Sequence, residues 1–202
     1  PNSGFNRLSY KLNLSHDLTD RLNLEAILNI QDSDQSRETG GLFLVNLSPI
    51  AKPKDENGEL IKYFLGEENA SAINPLWDQQ QSVDESETTL VDLNIRLNYK
   101  ILPNLTYSIK AFQRKRSLDQ GVYRSSLHSA GDEGLNGIGV LINSSYRQSL
   151  LEHILYYDLD VNKHNFNFTA VHAYDEQFTT YNQLDKSDFV NDALQYNGLA
   201  SR

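Results

Sequence analysis

The feature that most constrains this chain is a two-residue alternation of apolar and polar side chains, sustained over long stretches. Over 5–18, Leu8, Tyr10, Leu12 and Leu14 fall on one side and Arg7, Ser9, Lys11, Asn13 and Ser15 on the other. A helix would scatter these residues around its circumference, whereas an extended strand sorts them onto two faces. Thr19-Asp20-Arg21 is short enough for a tight turn. Leu22, Leu24, Ala26, Leu28 and Ile30 then alternate with Asn23, Glu25, Asn29 and Gln31, with Ile27 the exception. The unit recurs twice. Val91, Leu93, Ile95, Leu97, Tyr99 and Ile101 oppose Asp92, Asn94, Arg96, Asn98 and Lys100; after Pro103-Asn104 the pattern resumes with Leu105, Tyr107, Ile109 and Ala111. Leu155, Tyr157, Leu159 and Val161 oppose Tyr156, Asp158, Asp160 and Asn162. The chain turns over 162–165 and goes on with Phe166, Phe168 and Ala170. The expectation is an all-β chain of three long antiparallel hairpins, about six strands, with long polar loops at 35–87, 119–147 and 181–202.

Alternation alone fits two architectures. In a soluble sandwich the apolar face packs on a second sheet; in a membrane barrel it meets lipid and the polar face lines a lumen. Strands of soluble proteins peak near ~5–6 residues, shorter than these. Tyr10, Tyr99, Tyr107, Tyr157 and Tyr174 lie on or near the apolar register, several close to strand ends, where an interfacial girdle would sit. Tyrosine is also simply a good strand residue. Short turns at one end and long loops at the other complete the barrel pattern, so the expectation is a transmembrane β-barrel segment. The 202 residues are 39% hydrophobic, and no stretch approaches the ~20 apolar residues of a membrane helix. The absence of cysteine excludes disulfide staples, Cys-ligated metals and thiol nucleophiles. A net charge of −9 argues against nucleic acid as a partner. A start at Pro1-Asn2-Ser3-Gly4 and a total lack of methionine fit an excerpt of a longer chain. Six strands in lipid would also leave two unpaired edges, so further strands are expected outside this sequence.

Four segments resemble the SusC/RagA-like, TonB-dependent outer-membrane transporters of Bacteroidota. They are Ser3-Gly4-Phe5-Asn6-Arg7 running into Leu12-Asn13-Leu14-Ser15-His16; Ile73-Asn74-Pro75-Leu76 after Asp55-Glu56-Asn57-Gly58; Ile101-Leu102-Pro103-Asn104-Leu105-Thr106; and Asn162-Lys163-His164-Asn165-Phe166-Asn167 through Ala173-Tyr174. They occur in family order across nearly the whole chain, although Ala173 stands where many members have glycine. The resemblance implies residues 1–202 as part of a barrel of about 22 strands, with the plug domain not in this sequence and the long loops extracellular. It further implies location in the cell outer membrane as a multi-pass barrel. The partners would be outer-membrane lipid, a SusD-like surface lipoprotein and, through regions outside this sequence, the TonB complex. The implied function is active import of oligosaccharide or oligopeptide cargo. A soluble or secreted carbohydrate-binding module and a passive porin or adhesin barrel are the alternatives.

No enzymatic constellation emerges. His16, His128, His153, His164 and His172 show no metal-ligand spacing and are read as structural. No nucleophile elbow or phosphate loop is present. Asp32-Ser33-Asp34 starts like a calcium loop, but Arg37 and Phe43 occupy the positions that need Gly and Glu. Asp55, Asn57 and Glu59 leave a loop calcium site open. No catalytic residue, metal or cofactor is expected. The candidate lumen-lining or substrate-binding residues are Arg7, Lys11, Arg96, Lys110, Arg114, Asp158 and Asp160, on the polar face with Glu25 and Asp92. Mixed charge there could hold a plug, be solvated, or hydrogen-bond cargo. Trp77, in a long loop, could stack on a sugar, pack on a lid protein, or simply pack within the loop.

Overall fold

The computed structural model describes residues 3–38, 50–65, 73–130 and 134–199. Six long strands form one antiparallel sheet: β1 (Gly4–Thr19), β2 (Leu22–Ser36), β5 (Ser82–Leu102), β6 (Leu105–Arg124), β7 (Ile138–Val161) and β8 (His164–Ser187). Their order is β1-β2-β5-β6-β7-β8, so every strand pairs with its neighbour in sequence among the six. Between β2 and β5 lie a small hairpin, β3 (Lys52–Lys54) and β4 (Leu60–Leu65), and a one-and-a-half-turn helix, α1 (Pro75–Gln80). A 3-10 turn, Gln195–Leu199, follows β8. Among the described residues no second sheet packs on either face of the large one, as a sandwich would require.

The three hairpin turns are each two residues long and lie at one end of the sheet: Asp20-Arg21, Pro103-Asn104 and Asn162-Lys163. Local chemistry explains them. Thr19 Oγ1 accepts from the amides of Arg21 and Leu22 at 3.2 and 3.0 Å. Asn162 takes φ 56°, a left-handed conformation that asparagine tolerates better than other residues with a side chain.

The expected loops are shorter than the sequence suggested. β2 runs on to Ser36 and β5 begins at Ser82; β6 reaches Arg124 and β7 starts at Ile138; β8 continues to Ser187. Thus 35–87, 119–147 and 181–202 each surrender residues to the ladder. The physical reason lies in the side chains. Away from the turns the strands carry Ser, Thr, Asn, Gln and charged residues on both faces, so alternation fades while backbone pairing continues. The strands reach 24 residues, about twice the ~9–11 that cross a bilayer.

The register fixes the two faces. One row reads Leu14, Ala26, Ile95, Ala111, Leu151, Tyr174; the next toward the turns reads His16, Leu24, Leu97, Ile109, His153, His172. A continuous apolar belt therefore crosses all six strands. Opposite it, one polar row reads Lys11, Asn29, Asp92, Arg114, Gln148, Gln177, and another Ser15, Glu25, Arg96, Lys110, Glu152, Ala173. Burial is unequal. At belt level the residues that fall below a tenth exposed, Asp92, Ser108 and Ile154, all lie on the polar face. Side chains are therefore more crowded on the polar face than on the apolar one.

Candidate functional site

The polar face brings the sequence-predicted residues together and largely pairs them. Arg114 makes a bidentate contact with Asp92, Nε to Oδ1 at 2.7 Å and a terminal nitrogen to Oδ2 at 2.8 Å. Lys110 Nζ reaches Glu152 at 2.9 Å, and Arg96 stands 3.9 Å from Glu25. Each pair is directly opposite across neighbouring strands, the geometry in which unlike charges stabilise a sheet. Asp158 and Asp160 accept from the side-chain amides of Asn167 and Asn165. Arg7 and Lys11 lie on the same face of β1, with the Arg7 guanidinium 5.0 Å from the Phe5 ring centre.

Farther from the turns, the same face holds a groove of ≈ 730 Å³ walled by Arg7, Arg37, Arg114 and Arg116 with Gln31, Gln120 and Tyr146. Arg37 is bound to Asp84 (3.2 Å), Gln35 and Ser86. Arg7 and Arg116 have no ion-pair partner among the described residues, so two guanidinium groups without a carboxylate line a groove whose other residues are mainly amides and hydroxyls, with Leu90 and Leu118. Unpaired guanidinium groups in such a setting have the geometry to bind carboxylates. Arg37 and Arg116 were not legible as site residues, because only the register brings them beside Arg7 and Arg114.

Trp77 is half-buried and held by its ring N–H. It sits on α1, and its Nε1–H donates to the Leu127 carbonyl at 3.1 Å. Asp78 accepts from the Ser129 amide (2.9 Å) and hydroxyl, and the Ser125 hydroxyl donates to Gln81 Oε1 at 2.8 Å. Fully buried Asn74 caps α1 through Leu76 N–H and donates to the carbonyls of Pro53 and Ile61, tying the small hairpin to the helix. The helix and the β6–β7 loop are thus latched together. His128 belongs to this latch. Burial pushes its pKa below 6.5; nearby Asp78 opposes this, while Arg124 and Lys62 add to it. Its Nδ1 accepts from the Ala130 amide at 2.9 Å, which requires the neutral ring.

A second latch was missed by sequence reading. Asp192 accepts from Tyr123 OH (2.6 Å), Ser126 N–H (3.0 Å) and Ser126 Oγ (2.8 Å). Burial alone would raise the Asp192 pKa, but these hydrogen bonds hold it below 3.8. Phe189, Leu199 and Tyr123 form a small buried cluster flanked by Val83, Leu141 and Tyr196. Gly121 and Gly139 were the available signal: a Cβ at either would meet the Tyr196 or Phe189 ring at 2.5 or 2.7 Å.

Asp55 Oδ1 accepts from the amides of Asn57 and Glu59, both at 2.9 Å, so the carboxylate of the possible calcium loop braces a turn. Among the described residues no group of three His, Asp or Glu side chains could hold a metal. His16 lies on the apolar face of β1 and His164 beside the β7–β8 turn. His153 faces His172 on the apolar face and shares a 2.6 Å hydrogen bond with Tyr107.

The belt does not run straight along the paired rows. It covers Leu8–Leu14 in β1, Leu22–Ile30 in β2, Val91–Ile101 in β5, Leu105–Ala111 in β6, Leu151–Val161 in β7 and Phe166–Tyr174 in β8. Its midpoint is Lys11 in β1 and Ala170 in β8, yet the row of Ala170 passes through Leu155, Tyr107, Tyr99 and Leu22 to Thr19. The drift is roughly seven residues over the steps between six strands; at ~3.4 Å per residue and ~4.8 Å between strands this is a slant of about 45°. Strands of membrane barrels tilt by about 35–45°.

The described elements thus define an antiparallel all-β sheet with one apolar and one polar face. Solved structures carry the same fold. The chain is similar to chains of the RagAB peptide importer in its closed-closed state (TM-score 0.73) and its open-open state (TM-score 0.74), and of the RagAB peptide transporter (TM-score 0.72). Each comparison has 17% identity and covers 95% of this chain but 22% of the other. The chain therefore spans about a fifth of those chains' length. No family model and no curated protein matches it.

Proposed function

We propose that this chain is a section of the wall of an outer-membrane β-barrel that imports oligopeptides. It works with a SusD-like surface lipoprotein and draws energy from the TonB complex through regions beyond these residues. The observation that carries this reading is the slanted belt. An apolar band roughly 17–26 Å tall, close to the ~25 Å band of membrane barrels and crossing the strands at the tilt of a closed barrel, fits a wall in lipid better than a sheet in water. β1 and β8 each pair on one side only, and in lipid their free edges need further strands. No helix among the described residues is long and apolar enough to cross a membrane, so strands would do the crossing.

Peptide cargo is preferred over oligosaccharide because Arg7 and Arg116 line the inner groove without ion-pair partners among the described residues. An unmodified peptide carries a C-terminal carboxylate, which a neutral glycan lacks. The similarity to peptide-importer chains supports the same choice. The wall is tested by a pair of substitutions in the full-length transporter. Leu12→Arg, at mid-belt, should cost ~2–4 kcal/mol and reduce the folded, heat-modifiable species in membranes. Ser9→Arg, on the inner face, should assemble as wild type. Normal assembly of Leu12→Arg would overturn the orientation. The cargo reading is tested by Arg7→Gln/Arg116→Gln, which should weaken uptake of a free-carboxylate peptide more than that of its amidated form.

A further inference from the structure

We propose that Lys115 and Arg147, with the groove beside them, bind a phosphate-bearing lipid of the leaflet nearer the long loops. The inference rests on the wall reading above. The two residues stand directly opposite each other on β6 and β7, on the outer face, in the row Tyr10, Ile30, Val91, Lys115, Arg147, Phe178. Like charges facing each other across a ladder destabilise it unless something anionic lies between them. Neither has an ion-pair partner among the described residues; the Arg147 guanidinium lies 5.7 Å from the Phe178 ring centre. Glu176, a diagonal neighbour of Arg147, makes no salt bridge with it. Asp34, Glu87 and Asp119 share a row on the same face, two rows farther from the turns.

Their height suits a headgroup. Each is four residues beyond the last belt residue of its strand, Ala111 or Leu151. At ~3.4 Å per residue and a slant of about 45°, their backbone stands roughly 10 Å above the hydrocarbon, just past a headgroup layer of ~5–8 Å, and both side chains are long enough to reach down into it. Beside them opens a groove of ≈ 530 Å³. Leu28, Val91 and Leu93 give it an apolar wall, and Gln113, Ser145 and Thr180 give it polar atoms. An acyl chain would lie on the leucines while the phosphate bridges the two cations, with the guanidinium able to offer two parallel N–H groups. The lumen side of the sheet cannot reach this groove, which leaves membrane lipid as the occupant.

The test uses the full-length transporter in nanodiscs of phosphatidylcholine mixed with phosphatidylglycerol, released for native mass spectrometry. Wild type should retain phosphatidylglycerol over phosphatidylcholine. Lys115→Gln/Arg147→Gln should lose most of that preference, roughly tenfold, as expected for removing two charge-assisted contacts. Lys115→Arg should keep it. Leu93→Ser should lower retention of the lipid, whereas excess inorganic phosphate should displace it only weakly. Full displacement by phosphate with no effect of Leu93→Ser would make this a free-anion site and overturn the lipid assignment. Unchanged preference in the double variant, with normal insertion, would overturn this proposal alone. Failure of wild type to enter the nanodisc would overturn the wall reading beneath it.

Discussion

Asp192 shows how one half-buried carboxylate organises the end of the sheet far from the turns. It satisfies three donors from Tyr123 and Ser126, and Tyr123 is almost wholly buried. Asp192→Ala leaves those donors without an acceptor, so a local loss of ~1–3 kcal/mol is expected. Hydrogen exchange should show it as faster opening of 188–199, with the six-strand ladder unchanged. Acid acts on the two latches in different windows. Asp192 has a folded pKa below 3.8, so its contribution is complete above that value and is lost as pH falls through the folded one. His128 is a base whose folded pKa is depressed below 6.5: between the two values the unlatched form binds the extra proton. Stability of the α1 latch is therefore present above 6.5 and declines as pH falls from there. Trp77, the single tryptophan, donates to Leu127 beside His128 and reports the event. Its fluorescence should change as pH drops below about 6.5, and His128→Gln should abolish that change. A titration unaffected by the substitution would assign the change elsewhere.

At the scale of elements, the apolar and polar faces were legible in sequence because near the turns each strand carries one kind of side chain on each side. The turns at Pro103-Asn104 and Asn162-Lys163 were legible because their residues suit tight reversals. The outer halves of the strands were not. Where Thr88, Thr89, Ser117, Asn143, Ser144 and Ser145 occupy both faces, no period remains for the eye, and backbone hydrogen bonding alone extends the ladder. Register was also hidden. Glu25–Arg96 and Asp92–Arg114 could be guessed as members of one face, but not as opposite partners. The short segment after β8 gave no helical or strand period, although Gly121 and Gly139 mark where its rings lie against the sheet. Gly121→Ala places a methyl group in the Tyr196 ring and should pull Tyr196 OH from Glu85, now at 3.0 Å. The expected cost is ~1–3 kcal/mol, read as several-fold faster proteolysis within 188–199. Equal proteolysis of variant and wild type would mean that this packing does not hold the segment.

For the molecule as a whole, the slant of the belt makes a prediction that an upright sheet does not share. His16 and His172 belong to a single cross-strand row, running His16, Leu24, Leu97, Ile109, His153, His172. In an upright sheet that row would lie at one depth, and an arginine at either end would cost the same. With a slant of about 45°, the two ends separate. His172 is two residues from Ala170, the belt midpoint of β8, which the proposed wall reading puts near mid-bilayer. His16 is five residues from Lys11, the midpoint of β1, about 12 Å lower at ~3.4 Å per residue, close to the boundary on the side of the turns. On the proposed wall reading, His172→Arg in the full-length protein should therefore cost ~2–4 kcal/mol and lower the folded fraction, while His16→Arg should cost ~0–1 kcal/mol and assemble normally. Denaturant titration of both variants in one lipid composition measures the difference. Equal losses would show that the belt follows the rows and that the sheet stands upright; the reverse order would mean that the slant has the opposite hand.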